Sequence, residues 1–143
     1  MKRLNIRFFD EYKELDNLCI DLFGEVDGKR GVTLYIDRMS ESAELGKAEI
    51  DDWESDYKNL RDVRHTRNQL AHSQDSFSDK VCTKEQLDFV LSFKKKLQKG
   101  RDPLSILQHR TAKKRMRSRF NKLLIFLLIV LIAAVIVKFF ILK

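Results

Sequence analysis

Six consecutive residues, Arg67-Asn68-Gln69-Leu70-Ala71-His72, carry the side chains best suited to chemistry. A guanidinium offers a rigid fork of donors to a carboxylate or phosphate. An imidazole takes or gives a proton near neutral pH. Asn68 adds an amide able to orient the imidazole or to bind phosphate. The setting singles these residues out more than the spacing does. On a helical wheel Trp53, Tyr57, Leu60, Val63, Leu70 and Ala71 share one face, and Arg67 falls inside it. A guanidinium there requires a carboxylate, water or a ligand, because burying it unpaired is costly. Asp21 or Asp56 as its partner would make Arg67 a packed stem with a paired head, and His72 a C-terminal cap. Asn68 and His72 share a different face with Arg61, Arg64 and His65. Arg67 and His72 lie about 140° apart on an ideal helix. They converge if the helix ends near His72, or if a second protomer supplies the other half.

Other chemistries find little footing. Gly24, Gly28 and Gly31 fit neither phosphate-binding glycine pattern, and Ser40, Ser42 and Ser73 show no nucleophile elbow. Cys19 and Cys82 stand far apart, with no CxxC or Cys/His spacing, so they read as reduced, buried thiols rather than zinc ligands. The acids Glu49, Asp51, Asp52 and Glu54 complement a helix dipole more simply than they bind a metal. Trp53 and Tyr57 read as core or dimer interface rather than a base-stacking surface.

The elements that must position the motif are helical. Phe8, Tyr12, Leu15, Cys19 and Leu22 form a stripe that predicts a first helix from about Ile6 to Phe23, broken by Gly24 and the run Asp27-Gly28-Lys29-Arg30-Gly31. Val32, Tyr35, Ile36, Met39 and Ala43 predict a second helix to about Leu45, with Gly46 as its stop. The third runs from about Lys47 to Leu70 or a little beyond. Thr83 and Gln86 form a capping box for the fourth, which carries Leu87, Val90, Leu91 and Leu97 and stops at Gly100. Asp102-Pro103 then reads as an N-cap with Pro at N1. Residues 73–79 read as an exposed polar loop. The expectation is an all-α chain: a four-helix bundle followed by a long C-terminal helix.

The charge is divided along the chain. The net charge is +7, yet residues 1–109 hold 19 Lys+Arg against 21 Asp+Glu, while residues 110–143 hold nine basic residues and no acid. The helical part is therefore not a basic nucleic-acid platform. Residues 123–142 read LLIFLLIVLIAAVIVKFFIL, with Lys138 as the single charge. At about 1.5 Å per residue they span about 30 Å, the thickness of a bilayer core. Lys138 lies near the far end, within reach of the headgroups. Arg110, Lys113, Lys114, Arg115, Arg117, Arg119 and Lys122 precede the run and set that side as cytoplasmic, where they meet anionic lipid. The expected organisation is a helical domain over 1–100, a basic juxtamembrane segment over 101–122 and a single transmembrane helix over 123–142. The expectation is a tail-anchored protein of the inner membrane with its domain in the cytoplasm.

R-N-x-x-A-H at the end of the third helix of a four-helix domain resembles the HEPN superfamily, the R-x(4–6)-H helical domains of prokaryotic toxins and antiviral systems. The resemblance covers about residues 6–99, and Arg67, Asn68 and His72 match its motif one by one. It implies a metal-independent endoribonuclease of a toxin or antiviral-defence type, without cofactor, acting on RNA as a homodimer in which two motifs line one cleft. His72 would be the acid or base, Arg67 would stabilise the phosphorane and Asn68 would orient the histidine or bind phosphate, with Arg61, Arg64 and His65 meeting the RNA. The alternative is a non-catalytic membrane-bound dimerisation or sensor module. One branch of the superfamily carries a regulatory tyrosine two residues after the histidine; here that position is Gln74. Phe8, Phe9, Phe23, Trp53, Tyr57, Phe89 and Phe93 are more aromatic surface than a four-helix core readily hides, which also points to a homodimer. An antitoxin or regulator would be a further partner.

Overall fold

The structure, a computed structural model, describes the backbone of residues 2–72 and 81–141, with side chains for 3–72, 81–130 and 138. It is mostly helical: α1 (Lys2–Phe23), a hairpin of β1 (Glu25–Val26) and β2 (Lys29–Arg30), α2 (Gly31–Glu41), α3 (Ala43–Glu49), α4 (Trp53–His72), α5 (Lys84–Gln98) and α6 (Pro103–Ile141). The chain divides into two compact units, Met1–Leu107 and Gln108–Lys143. The expected polar loop at 73–79 lies outside the described residues.

In the first unit, α1 packs against α2, α4 and α5. Its stripe Phe8, Tyr12, Leu15 and Cys19 is buried as the periodicity requires, whereas Leu22 lies outside the core and is 54 % exposed. Val32, Tyr35, Ile36 and Met39 from α2 meet it, with Trp53, Leu60, Val63 and Leu70 from α4 and Leu87, Val90, Phe93 and Leu97 from α5. The aromatics are absorbed by this single-chain core. Phe8, Trp53 and Phe93 are fully buried, and Phe9, Phe23, Tyr57 and Phe89 pack partly buried against them. None of these seven rings is exposed, so they do not by themselves call for a second protomer. Phe93 meets Tyr35 edge-on at 5.5 Å, and Phe23 meets the same ring from another side at 5.5 Å.

Two boundaries differ from the sequence reading. The predicted second helix breaks at Ser42, and the predicted third begins at Trp53 rather than Lys47, so Lys47 and Glu49 belong to α3. Gly46 is not a stop but a buried residue within α3. A Cβ there would overlap the indole of Trp53, so glycine lets α3 lie against the first turn of α4. The other difference is the hairpin. Asp27 and Gly28 both take positive φ (52° and 71°), the backbone of a tight two-residue turn, and pair Glu25 with Arg30 and Val26 with Lys29.

The later caps form as the sequence requires. Gln86 N donates to Thr83 Oγ1 (3.3 Å) and Thr83 N to Gln86 Oε1 (3.0 Å). Gln86 Nε2 also donates to Thr66 Oγ1 (2.9 Å), joining α5 to α4. Lys94 bridges Glu11 and Glu14 and ties α5 to α1. The thiols of Cys19 and Cys82 are free and buried, and Cys82 Sγ donates to buried Asn5 Oδ1 (3.2 Å).

The first turn of α6 belongs to the helical core. Leu104 and Leu107 are buried in it, so the compact unit runs past residue 100 to Leu107. Asp102 is fully buried. Its Oδ1 accepts from the Tyr35 hydroxyl (2.5 Å) and from Ser105 N (3.2 Å), and the Tyr35 hydroxyl in turn accepts from Leu104 N (3.3 Å). Burial pushes the Tyr35 phenol up, and the neighbouring Asp102 carboxylate adds to that. Asp102→Ala removes a cap and leaves a buried hydroxyl without its acceptor. It should cost about 2–4 kcal/mol, seen as a lower midpoint in urea unfolding. Tyr35→Phe keeps the cap and should cost about 1 kcal/mol. An unchanged midpoint for Asp102→Ala would show that the network contributes no stability.

In the second unit α6 continues through the basic segment. Arg110, Lys113, Lys114, Arg115, Arg117, Arg119 and Lys122 are all exposed. Beyond them Leu123 to Val130 are eight successive apolar residues, each about half exposed or more (49–61 %). Among the described residues no helix is long and apolar enough to cross a membrane. Most of the second half of the 123–142 run lies outside the residues whose side chains are described.

A basic cleft built around Arg67

Helix α4 places the motif residues in three different settings. Arg67 and Asn68 are half-buried, and His72 is exposed as the last helical residue. Ala71, expected on the apolar face, is exposed. The inner face carries Thr66 and Asp56 beside Leu60, Val63 and Leu70. Neither expected carboxylate pairs with Arg67. Asp56 accepts from Lys96 Nζ through both oxygens (2.7 and 3.1 Å). Burial pushes the Asp56 carboxyl up, and Lys96 opposes that shift. Asp21 is exposed and forms no ion pair among the described residues.

Arg67 instead lies over the Phe9 ring, 5.8 Å from its centre, and one guanidinium N–H donates to Asn68 Oδ1 (3.3 Å). Arg67 also lines a cleft of about 300 Å³. The cleft is bounded by α4 through Arg64, Arg67 and Asn68, by α1 through Tyr12 and Asp16, and by the hairpin end through Arg30. Among the described residues, Arg30, Arg64 and Arg67 form no ion pair. Lys29 also borders the cleft, but its ammonium is held by Asp37 at 2.7 Å. Burial pushes the Tyr12 phenol up, with Asp16 adding to the shift and Arg67 and Arg64 opposing it, so its hydroxyl stays protonated.

Asp16 organises one wall. Its Oδ1 accepts from Val32 N (2.8 Å) and so caps α2, where Arg30 makes no side-chain cap. Gly31 makes this approach fit. It holds φ +61°, and a Cβ there would overlap the Asp16 carboxylate.

The structure thus brings Arg67, Asn68 and Arg64 together and leaves His72, Arg61 and His65 outside the cleft. Arg61 is exposed with its guanidinium 5.8 Å from the centre of the Tyr57 ring, and His65 is exposed. Among the described residues, His72 does not line the cleft that Arg67 borders. Arg30, Tyr12 and Asp16 were not among the sequence candidates. The Asp27-Gly28 pair is a strong hairpin signal, and it would have shown that Lys29 and Arg30 fold back rather than run on as a loop.

No curated protein and no solved structure matches this chain. A family of unknown function, DUF6548, matches residues 6–122, from α1 through the basic stretch of α6. That is most of the chain, and the protein belongs to the DUF6548 family.

Proposed function

We propose that this protein is a HEPN-like helical domain held at a membrane by its C-terminal helix, with an RNA phosphodiester as the substrate of Arg67, Asn68 and His72. One observation carries the reading. Arg67 sits half-buried over the Phe9 ring with no ion pair among the described residues, and with Asn68 it lines a basic cleft. A structural arginine would have its charge met by a carboxylate. One that points into a concave, cationic surface is placed to meet an anion.

The chemistry needs no metal. His72 takes the proton of a ribose 2′-hydroxyl, and that oxygen attacks the adjacent phosphorus. The bond to the 5′-oxygen breaks, and that oxygen leaves with a proton taken from solvent water. The products are a 2′,3′-cyclic phosphate and a 5′-hydroxyl. Arg67 stabilises the extra negative charge of the phosphorane. His72 lies outside the Arg67 cleft in one chain, so a homodimer supplies it from the partner's helix end. The same separation favours a second reading, a non-catalytic sensor module in which the Arg67 cleft binds a ligand and no cleavage follows.

The anchor reading rests on Leu123 to Val130. Fully burying such side chains is worth about 1.5–3 kcal/mol each, so eight in a row represent on the order of 10 kcal/mol. The seven basic residues before them orient the helical domain to the cytoplasm, at the inner membrane. Expression of the wild type beside His72→Ala tests the cleavage reading. The wild type should arrest growth and fragment cellular RNA, and His72→Ala should do neither. Intact RNA in both would support the sensor module instead.

A further inference from the structure

We infer that the cleft between the hairpin, α1 and α4 is a binding site for a phosphomonoester dianion, read by Arg30, Arg64 and Arg67. Charge matching is the first argument. The cleft holds three guanidiniums with no ion pair among the described residues, while Lys29 is neutralised by Asp37. The single carboxylate, Asp16, offsets one of the three and is itself held by Val32 N. Two positive charges remain uncompensated. They match a phosphate bearing two charges.

Shape is the second argument. About 300 Å³ is the size of a pocket for a small molecule, at the low end of the range ligands use. It admits a phosphate and a modest substituent.

Construction is the third. The three arginines come from two separate elements. Arg30 is delivered by the Asp27-Gly28 turn, and Gly31 and Asp16 fix the backbone directly after it. Arg64 and Arg67 are one helical turn apart on α4, where side chains three apart meet. The hydroxyls of Tyr12 and Thr33 and the amide of Asn68 border the same space and offer neutral donors. Arg67 is shared with the proposed ribonuclease motif, but Arg30 and Arg64 are not. The site stands whether or not the chain cuts RNA.

The source of the phosphomonoester is a soluble metabolite or a lipid headgroup, and the chemistry is common to both. The test uses the full-length protein in neutral detergent and isothermal titration with inorganic phosphate, at a pH where phosphate is dianionic. Saturable binding is expected, with dimethyl phosphate, a singly charged diester, at least about tenfold weaker (~1.4 kcal/mol). Arg30→Gln and Arg64→Gln should each weaken phosphate binding about tenfold. Lys29→Gln should change it less than about twofold, because that ammonium is already engaged by Asp37. Arg30 is exposed on β2, so its variant keeps the fold and decides the matter should Arg64→Gln unfold. Saturable phosphate binding by a protein that leaves RNA intact would keep this site and drop the cleavage reading. Competition by short-chain phosphatidic acid would support the site and assign a lipid source, whereas competition by glycerol phosphate alone would support it with a soluble source. Absence of saturable phosphate binding, or equal binding of the diester, overturns the proposal.

Discussion

Full-length protein should sediment with membranes and resist extraction by carbonate, whereas a chain ending at His109 should stay in the supernatant. The cut is placed by the core. Leu104 and Leu107 are buried among the other helices, and Asp102 holds Tyr35, so ending the chain at residue 99 would remove packing as well as the proposed anchor. Ending at His109 keeps the unit Met1–Leu107 whole. It removes the basic segment and the apolar run together. The effect should be complete rather than graded, because a 20-residue apolar helix is an effectively irreversible anchor while surface charges alone are not. Release of the full-length protein by high salt or carbonate would contradict it, and would leave the seven basic residues as a peripheral contact.

Some of this architecture is legible in the sequence because it rests on local rules. The stripe of Phe8, Tyr12, Leu15 and Cys19 follows helical period and is buried. Thr83 with Gln86, and Asp102 with Pro103, are caps whose partners lie within four residues, and both form. What depends on distant partners is not legible. The break between α3 and α4 accompanies the packing of Gly46 under Trp53, and no glycine or proline marks Ile50 to Asp52, where it occurs. Asp56 takes Lys96, 40 residues away, rather than Arg67 on its own helix. The cleft is hidden for the same reason. Arg30 and Arg64 are separated by more than thirty positions, and the near-neutral total over residues 1–109 conceals a local surplus. A net charge is a sum over the surface, whereas an anion responds to the few cations around it.

Arg67→Ala and His72→Ala should each lower RNA cleavage by about 10²–10⁴-fold, the range of a lost acid–base group or phosphorane-stabilising donor. The two variants differ in what else they do. His72 is exposed at the end of α4, so its truncation should leave unfolding unchanged. Arg67 packs on Phe9, so its truncation also loses contact with the core. Arg67→Lys keeps the charge and much of the stem but loses the planar fork, and it should remain strongly impaired. Mixing the two inactive variants provides the sharper result. If Arg67 of one protomer works with His72 of the other, a heterodimer of Arg67→Ala and His72→Ala holds one intact pair. With random exchange, half the dimers are mixed and half their sites are whole, so about a quarter of wild-type activity should return. No recovery after demonstrated subunit exchange would rule out a site shared between protomers.

The most direct measurement is the chemistry of the RNA ends. Purified full-length protein in neutral detergent, incubated with a defined single-stranded RNA in excess EDTA, should yield fragments ending in 2′,3′-cyclic phosphate and starting with 5′-hydroxyl. The His72→Ala protein, prepared in parallel, should yield none. RNA left intact by the wild type, or cleaved equally by His72→Ala, would contradict the assignment of Arg67, Asn68 and His72 as a cleavage site.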